Sequence, residues 1–275
     1  MNTIDEILPL FDPISLDCMD KVQLLNRVDT KFMFNEKELI PVLDRMKEDY
    51  FMLEADGIRC NRYESLYFDT SDRRMYLEHH NGKLNRYKVR YREYVYSGLC
   101  FFEIKFKNNK GRTLKERIDV PRISRTISGV QADFLASQSP YVAEALQPAL
   151  DVSFSRITLV NRAMTERITI DTGLDFSNGI HERQVPRLVI AELKHESSKA
   201  SPFQALLHEF HIKNISISKY CLGTVTLFPD IKKNNFKPKL LYINKITHDT
   251  HETYHDSPAA AHAVVSGEGM PSPTV

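Results

Sequence analysis

Charged and apolar residues alternate along two neighbouring stretches of the chain, and this alternation restricts the fold more than any other feature. Lys or Arg occupies every second position from Arg86 to Arg92, with tyrosine or valine between them. Residues 101–107 repeat the pattern, with Glu103, Lys105 and Lys107 separated by apolar side chains. Because successive side chains of a strand point to opposite faces, both stretches predict β-strands with one apolar and one charged face.

Positive charge is concentrated around these strands. Between Lys83 and Arg117 the chain has eleven basic and three acidic residues, whereas all 275 residues contain 37 basic and 36 acidic ones, a net charge of +1. The local excess of eight leaves about −7 for the rest of the chain. This balance argues against a generic nucleic-acid coat and favours one focused anion-binding site.

Hydrophobic periodicity and turn residues divide the chain into strands and helices. Strands are predicted at 27–34, 50–54, 61–69, 84–95, 99–108, 113–120, 152–161, 164–172 and 186–195, with hairpin turns at 97–98 and 108–111. Helices are predicted at 15–26, from the Asn35 cap to Met46, and at 71–79, 126–137, 140–148 and 202–211. Residues 1–244 are predicted to form one domain, on which helix 15–26 packs, and residues 245–275 a disordered tail.

The charged faces of the strands limit how the sheet can be arranged. Short connections predict mostly antiparallel pairing, either in an open sheet with its charged face in solvent or in a closed barrel around a polar lumen. Arg dominates these faces, and Arg suits fixed contacts with phosphate or carboxylate. Many cations around one lumen repel one another unless the lumen is wet and holds a polyanion. The predicted fold is therefore α+β, an antiparallel β-barrel that forms a basic tunnel with surrounding helices.

Several segments, in this order, resemble a known family: the polyphosphate polymerase domain of the vacuolar transporter chaperone (VTC) complex, within the CYTH-like triphosphate tunnel metalloenzymes. The similarity covers most of residues 20–225. It is carried by LLNRVDTKFMF (24–34), YFDT (67–70), KVRYREY (88–94), FFEIKFK (101–107), GRTLKERI (111–118), FSRITLV (154–160), ERITIDTGL (166–174), LVIAELKHE (188–196) and SISKYCLG (216–223). Their order and spacing together are more specific than any single segment.

The resemblance implies a tunnel whose basic wall binds the triphosphate of ATP and a growing polyphosphate chain, with Mn²⁺ or Mg²⁺ beside the phosphates. It implies catalytic phosphate contacts from Arg90, Arg92, Lys105, Arg156 and Arg167. Further phosphate-binding residues, taken from the resemblance or from the charged strand faces, are Lys31, Lys88, Lys107, Lys115, Arg117, Lys194, Ser218 and Lys219. Glu192 matches the metal-holding glutamate of the family.

Simpler interpretations exist for some of these residues. Glu192 is alternatively paired with a cation of a neighbouring strand, and Ser218-Lys219 is alternatively a helix cap. Tyr67 and Asp69 are assigned structural roles, with Asp69 paired to a basic neighbour.

One departure from the wider superfamily bears on the reaction. The superfamily opens with ExExK, whereas this chain has Arg27-Val28-Asp29-Thr30-Lys31. Loss of the first acid weakens a two-metal hydrolytic site and favours phosphate binding. The predicted activity is that of an ATP-dependent polyphosphate polymerase, a metal-dependent phosphotransferase. The alternatives are a triphosphate hydrolase, with water oriented by Asp29, Glu103 or Asp171, and a non-catalytic sensor of polyphosphate or inositol phosphate.

Other classes of protein are disfavoured. A nucleic-acid binder needs aromatic platforms among its cations, whereas Tyr87, Tyr91, Phe102 and Phe106 fall on the opposite face. No apolar run is long enough for a membrane span and the start lacks a signal-peptide pattern, so a cytoplasmic location without membrane insertion is expected. Residues 251–255 fit the zinc-protease motif HExxH, but their tail context argues against that site. His79-His80 is predicted to end a helix, and no protein partner is indicated.

Overall fold

The computed structural model of the protein describes residues 3–20, 27–196 and 200–248. The strands are β1 (Asp12–Ile14), β2 (Arg27–Asn35), β3 (Tyr50–Leu53), β4 (Cys60–Asp69), β5 (Arg86–Tyr94), β6 (Leu99–Lys107), β7 (Thr113–Val120), β8 (Gln147–Asn161), β9 (Glu166–Ser177), β10 (Glu182–Val185) and β11 (Leu188–Glu196). The α-helices are α1 (Ile4–Ile7), α2 (Leu16–Asp20), α3 (Leu39–Met46), α4 (Arg74–His80), α5 (Val130–Gln138), α6 (Pro202–Glu209), α7 (Lys219–Leu227) and α8 (Lys237–Thr247).

One sheet contains all of these strands. Its main path is β2-β11-β9-β8-β4-β5-β6-β7, antiparallel throughout, with β10 beside β9 and β3 beside β8. The short β1 runs parallel to β3. All eight strands of the main path line the same cavity, so the sheet curls around it. The predicted α+β class and antiparallel sheet are confirmed.

The predicted closure of the barrel is wrong. Within the described residues, β2 and β7, the two ends of the path, do not pair with each other. The edge of β2 that faces away from β11 pairs briefly with the segment before α7. Phe32 forms a bridge with Asn214, and the Ile215 N–H donates to the Lys31 carbonyl at 2.7 Å. The β7 edge is largely exposed and rich in charged residues, which protects an unpaired strand from aggregation. We call the gap between the β2 and β7 edges the seam.

Apolar side chains cover the outer face of the sheet and bind helices. The half containing β2, β11, β9 and β8 packs against α1, α3 and α6, through residues such as Phe32 and Phe203. The half containing β4, β5 and β6 packs against α5, with Phe102 and Leu135 in one cluster. On the inner face, α7 and α8 cover an apolar region that includes Phe154. Polar and charged residues, most of them cationic, line the remaining inner face.

Local signals place most elements where the sequence predicts them. Asn35 caps the turn before α3, and Ser201 caps α6 by accepting a hydrogen bond from the Gln204 N–H. All nine predicted strands are present, and His80 ends α4 as predicted. The predicted helix 140–148 is wrong, since only a 3₁₀ turn forms at residues 143–145 and β8 begins at Gln147. Pro148 disfavours helical geometry at the residue before it.

The C-terminal part of the domain contains two helices that the sequence does not predict as elements, α7 and α8. Helix α8 continues past Lys245, where the tail is predicted to begin, because Ile243 and Thr247 are buried one turn apart. Residues 249–275, including the HExxH segment, lie outside the described residues, as do residues 21–26 of the predicted first helix. No helix in the described ranges is long and apolar enough to cross a membrane.

Replacing Gly223 of α7 by alanine is expected to lower the free energy of unfolding by about 1–3 kcal/mol. A Cβ atom there would lie 2.5 Å from the Phe176 ring and 2.7 Å from the Leu150 side chain, both fully buried. Chemical denaturation of the variant, beside the exposed α5 substitution Gln138→Ala as control, measures the cost. Equal stability of the Gly223→Ala and wild-type proteins would contradict such close packing of α7.

Candidate anion-binding cavity

Side chains from every strand of the main path, most of them charged, converge inside the curled sheet. They line a cavity of about 340 Å³ that is bounded by residues 217–219 at the start of α7. Most residues proposed from the sequence come together here, namely Lys31, Lys88, Arg90, Arg92, Lys105, Lys115, Arg156, Glu192, Lys194, Ser218 and Lys219. Strand alternation therefore gathers residues that are far apart in the chain onto one surface.

Three residues proposed from the sequence lie outside this lining. Arg167 shares a face of β9 with Thr169, which lines the cavity, but lies two residues further along the strand. Lys107 lines the seam. Arg117 is exposed on β7, with its guanidinium 4.0 Å from the centre of the Phe101 ring. Alternation assigns each residue to a face, whereas its depth along the cavity depends on the curl of the sheet.

Arg90 lies at the centre of the first cluster in the wall. Its guanidinium donates to Glu103 Oε2 at 2.8 and 2.5 Å and to the Tyr67 hydroxyl at 2.8 Å, and Lys115 Nζ lies 2.6 Å from Glu103 Oε1. Burial alone would raise the pKa of Glu103. The charges of Arg90, Arg92 and Lys115 outweigh burial and hold that pKa well below its usual range. Glu103 therefore stays ionised and fixes the orientation of Arg90.

A second cluster joins β8, β9 and α7. Arg156 donates to both oxygens of Asp171, at 2.6 and 2.8 Å, and Lys219 donates to the same carboxylate. Burial would raise the pKa of Asp171, but Arg156 and Lys219 lower it to about 2. The buried carboxylate thus holds two cations that come from different elements at the cavity wall.

The third cluster contains Glu192, the proposed metal-holding residue. Its carboxylate accepts a hydrogen bond from Lys31 of β2, and Lys194 Nζ lies 3.5 Å from its other oxygen. These cations outweigh burial, so the pKa of Glu192 is well below its usual range. The structure therefore contains the ion pair that was the simpler interpretation of this residue. Among the described residues, no group of three or more His, Cys, Asp or Glu could hold a metal ion.

Positive charge remains in excess after these pairs are formed. Nine Lys and Arg line the cavity, against four carboxylates in or behind the wall, Asp29, Glu103, Asp171 and Glu192, which leaves an excess of five. Arg92 is 8% exposed, and its hydrogen bond goes to the Ser65 hydroxyl at 3.1 Å. Burial and Arg90 lower the pKa of Arg92 to about 10. A cavity with this surplus favours a ligand with several negative charges.

Ser218 connects the wall to α7. It is the N-cap of that helix, accepting from the Cys221 N–H, and it also accepts from Lys88 Nζ at 3.0 Å. The helix-cap interpretation is confirmed, and the same hydroxyl lies in the cavity lining. The position of Lys88 is therefore coupled to the start of the helix.

The structure changes the assignment of Tyr67 but not that of Asp69. Tyr67 lines the cavity, and its pKa is lowered because the charges of Arg90, Arg92 and Lys88 outweigh its burial. Asp69 is structural, as expected, but its partners are the N–H groups of Met75 and Tyr76 and the Tyr220 hydroxyl, not a cation. The signal in the sequence is that Tyr67 lies two residues after Ser65 on β4, since alternation places both side chains on the same face.

Aromatic residues of β4 and β8, which the sequence expectation does not cover, lie on the cationic face. Tyr63 and Phe154 are stacked with centroids 5.3 Å apart, and the guanidinium groups of Arg92 and Arg156 lie 5.1–5.6 Å from their centroids. Tyr63 is 8% exposed and Phe154 is fully buried. The rings are covered by cations and offer no open platform for a nucleic-acid base.

Residues 26–228 match the family model of the VTC domain. The chain belongs to the VTC domain family. The matched range runs from β2 through α7, so it includes every residue of the cavity lining and excludes α8. The family resemblance of the sequence segments is thereby confirmed.

Solved structures give more distant likenesses to this VTC domain. HpAC1 from Hippeastrum, described as a proposed adenylyl cyclase with a dominant triphosphatase activity, is 11% identical with a TM-score of 0.47, covering 73% of this chain and 96% of that one. A conserved hypothetical protein from Pyrococcus furiosus is 9% identical (TM-score 0.37; 67% and 87% covered). The RNA triphosphatase Pct1 from S. pombe is 9% identical (TM-score 0.29; 84% and 89% covered). No curated protein matches the chain in sequence.

Proposed function

We propose that this VTC domain is an ATP-dependent polyphosphate polymerase, which transfers the γ-phosphate of ATP to a growing polyphosphate chain. The observation that carries the proposal is the excess of five positive charges on a wall that encloses one cavity. Phosphoryl transfer depends mainly on positioning and on neutralising charge on the transferred group, which such a wall supplies. The membership of the VTC family supports the same substrate class.

In this proposal, Arg90, Arg92, Lys105 and Arg156 contact the phosphates of ATP and of the chain. A terminal oxygen of the chain attacks the γ-phosphorus, the bond from that phosphorus to the β-phosphate oxygen breaks, and ADP leaves. The attacking phosphate is already ionised, so the step needs no general base. Glu103 contributes by orienting Arg90.

The ion pairs favour transfer to phosphate over transfer to water. Hydrolysis benefits from a carboxylate that orients or deprotonates water. Glu103 and Asp171, two of the three acids that the sequence offers for this role, are bound by cations that keep their pKa values low. Both carboxylates are therefore weak bases.

A divalent metal fits the cavity only together with the substrate. Mg²⁺ in proteins is commonly bound by one or two carboxylates plus substrate phosphates. Glu192 faces the cavity as an ionised carboxylate, so it would hold Mn²⁺ or Mg²⁺ jointly with phosphate oxygens, in exchange for contacts with Lys31 or Lys194. When bound, the metal would supply further neutralisation of phosphate charge.

One assay tests the proposal. The purified full chain is incubated with ATP and Mn²⁺, and nucleotides and phosphate products are resolved by length. Polyphosphate chains with matching ADP are expected. Orthophosphate without chains would instead establish a hydrolase, and binding of tripolyphosphate without turnover would establish a sensor.

Replacing Glu192 by glutamine is expected to raise the Mn²⁺ concentration needed for half-maximal activity by about ten-fold or more, because a neutral amide is a weaker ligand for a hard cation. Metal titrations of the rate measure this shift. The exposed substitution Glu182→Gln on β10 is the control. An unchanged metal dependence in Glu192→Gln would show that Glu192 does not hold the metal.

Tripolyphosphate binding is expected to weaken as the pH rises through the alkaline range. The weakening should begin at a lower pH than the one at which an ordinary lysine loses its proton. The neighbouring charge of Arg90 and burial hold the pKa of Lys105 well below its usual value, so this cation loses its proton and its attraction for phosphate as the pH increases. Replacing Lys105 by arginine keeps the charge and should flatten the decline. Calorimetric titrations from pH 7 to 10 measure it, with Lys47→Arg as control, and identical profiles for Lys105→Arg and wild type would refute this assignment.

A further inference from the structure

The seam opens from the cavity to the surface. It forms a cleft of about 740 Å³ between residues 29–31 of β2, the β6–β7 hairpin at residues 107–114, and residues 214–216. Asp29, Lys31 and Thr113 line both the seam and the cavity. A ligand longer than the cavity therefore has a continuous path out between the edges of the sheet.

The hairpin side of the seam is basic. Lys107, Lys110 and Arg112 line it, facing the single acid Asp29 of the lining. The hairpin is ordered by Asn108, whose side chain accepts from the N–H groups of Lys110 and Arg112. Among the described residues, neither of these two cations forms an ion pair. The cavity cations thus continue outward as a second group that lacks built-in counterions.

The backbone of β7 adds donors along the same path. Within the described chain this strand pairs with β6 and leaves its other edge unbonded. An unpaired strand edge presents a row of N–H and C=O groups. Thr113 and Leu114 of that edge line the seam, where N–H groups can donate to phosphate oxygens.

The side of the cavity next to α7 is filled by packed side chains. Tyr63, Tyr67 and Phe154 belong to one buried cluster with Tyr220 and Cys221 of α7. Lys219 Nζ lies 4.4 Å from the centre of the Phe154 ring, at the boundary between the cationic and the apolar inner face. An extended polyanion cannot pass through this packed region.

We propose that the seam is a binding groove for the polyphosphate chain, which leaves the cavity sideways between β2 and β7 with its phosphates bound by Lys110, Arg112 and the β7 edge. This inference rests on the proposed function, since it assigns a path to the substrate of the same site. The groove recognises repeated phosphates and takes no part in contacts to a triphosphate confined to the cavity.

The test compares long polyphosphate with tripolyphosphate as ligands of the full chain. Replacing Lys110 and Arg112 together by glutamine is expected to weaken binding of long polyphosphate about ten-fold, the order for two lost surface charge contacts, while tripolyphosphate affinity changes much less. The control is Arg45→Gln with Lys47→Gln, an exposed and a partly exposed cation near the end of α3, far from the seam in the chain. Calorimetry at constant ionic strength measures all three proteins, and thermal denaturation confirms that each is folded.

The possible results distinguish failure of the groove from failure of the proposed function. Unchanged affinity for long polyphosphate in the hairpin variant, an equal loss for both ligands, or the same loss in the α3 control would each overturn the groove. Failure of the wild-type protein to bind tripolyphosphate would instead overturn the proposed function of the cavity.

Discussion

Replacing Asp171 by asparagine is expected to lower the free energy of unfolding by about 3–5 kcal/mol. Asp171 is 2% exposed and binds both Arg156 and Lys219. Asparagine keeps the size of the side chain but leaves two cations in a low-dielectric wall without their counterion. Chemical denaturation measures the loss at neutral pH, where the wild-type carboxylate is ionised because its pKa is about 2.

The same variant should recover much of this stability when tripolyphosphate is added. A ligand that binds only the folded state stabilises it in proportion to the logarithm of its concentration over Kd, and the unpaired cations should strengthen phosphate binding. Asp151→Asn is the control, since Asp151 forms an exposed pair with Arg125 outside the cavity and should cost below about 1 kcal/mol. A similar small cost for Asp171→Asn would show that its cations are solvated without it.

Under the proposed function, replacing Arg92 by glutamine is expected to reduce kcat/KM for chain synthesis by about 10²–10³-fold while leaving the free energy of unfolding unchanged or raising it. Arg92 is buried, donates to a neutral hydroxyl, and has a pKa lowered to about 10 by burial and by Arg90. The folded protein therefore bears an electrostatic cost for this charge, which phosphate binding would offset.

A fall in kcat/KM without a fall in the free energy of unfolding distinguishes a binding role of Arg92 from a structural one. Steady-state kinetics with ATP and chain primer, together with denaturation curves of the same preparations, give both quantities. Arg122→Gln, at an exposed position after β7, is the matched control and should change neither. A fall in stability that accompanies the loss of activity would indicate that Arg92 mainly supports the fold.

The sequence predicts the strands and their charged faces because the alternation of side chains is a local property. It brings Arg90, Lys105 and Arg156 correctly to one surface. It does not predict the open seam, since whether β2 meets β7 depends on how far the whole sheet curls and on the segment at Asn214, which pairs with β2. The depth at which a side chain lies along the cavity also depends on the curl of the whole sheet. Alternation alone therefore does not predict that Arg117 lies outside the lining.

The sequence also does not predict which cations pair with the acids of the wall. Alternation places Asp171 and Glu103 inward, but only the register between strands decides that Asp171 faces Arg156 and that Glu103 lies beside Arg90. The sequence does not predict helix α7, because its residues are buried on nearly all sides and it therefore has no amphipathic pattern. Its cap, Ser218, was visible in the sequence and marks where it starts.

The carboxylates built into the wall have a consequence for the movement of a bound chain. Because Glu103, Asp171 and Glu192 already neutralise part of the positive wall, an entering chain gains attraction mainly from the surplus cations. A polymer held by a partly compensated surface has a shallower energy minimum at each position than one held by uncompensated cations. Under the proposed function, these acids would lower the energy barrier between successive positions, allowing the chain to advance by one phosphate after each transfer without leaving the enzyme.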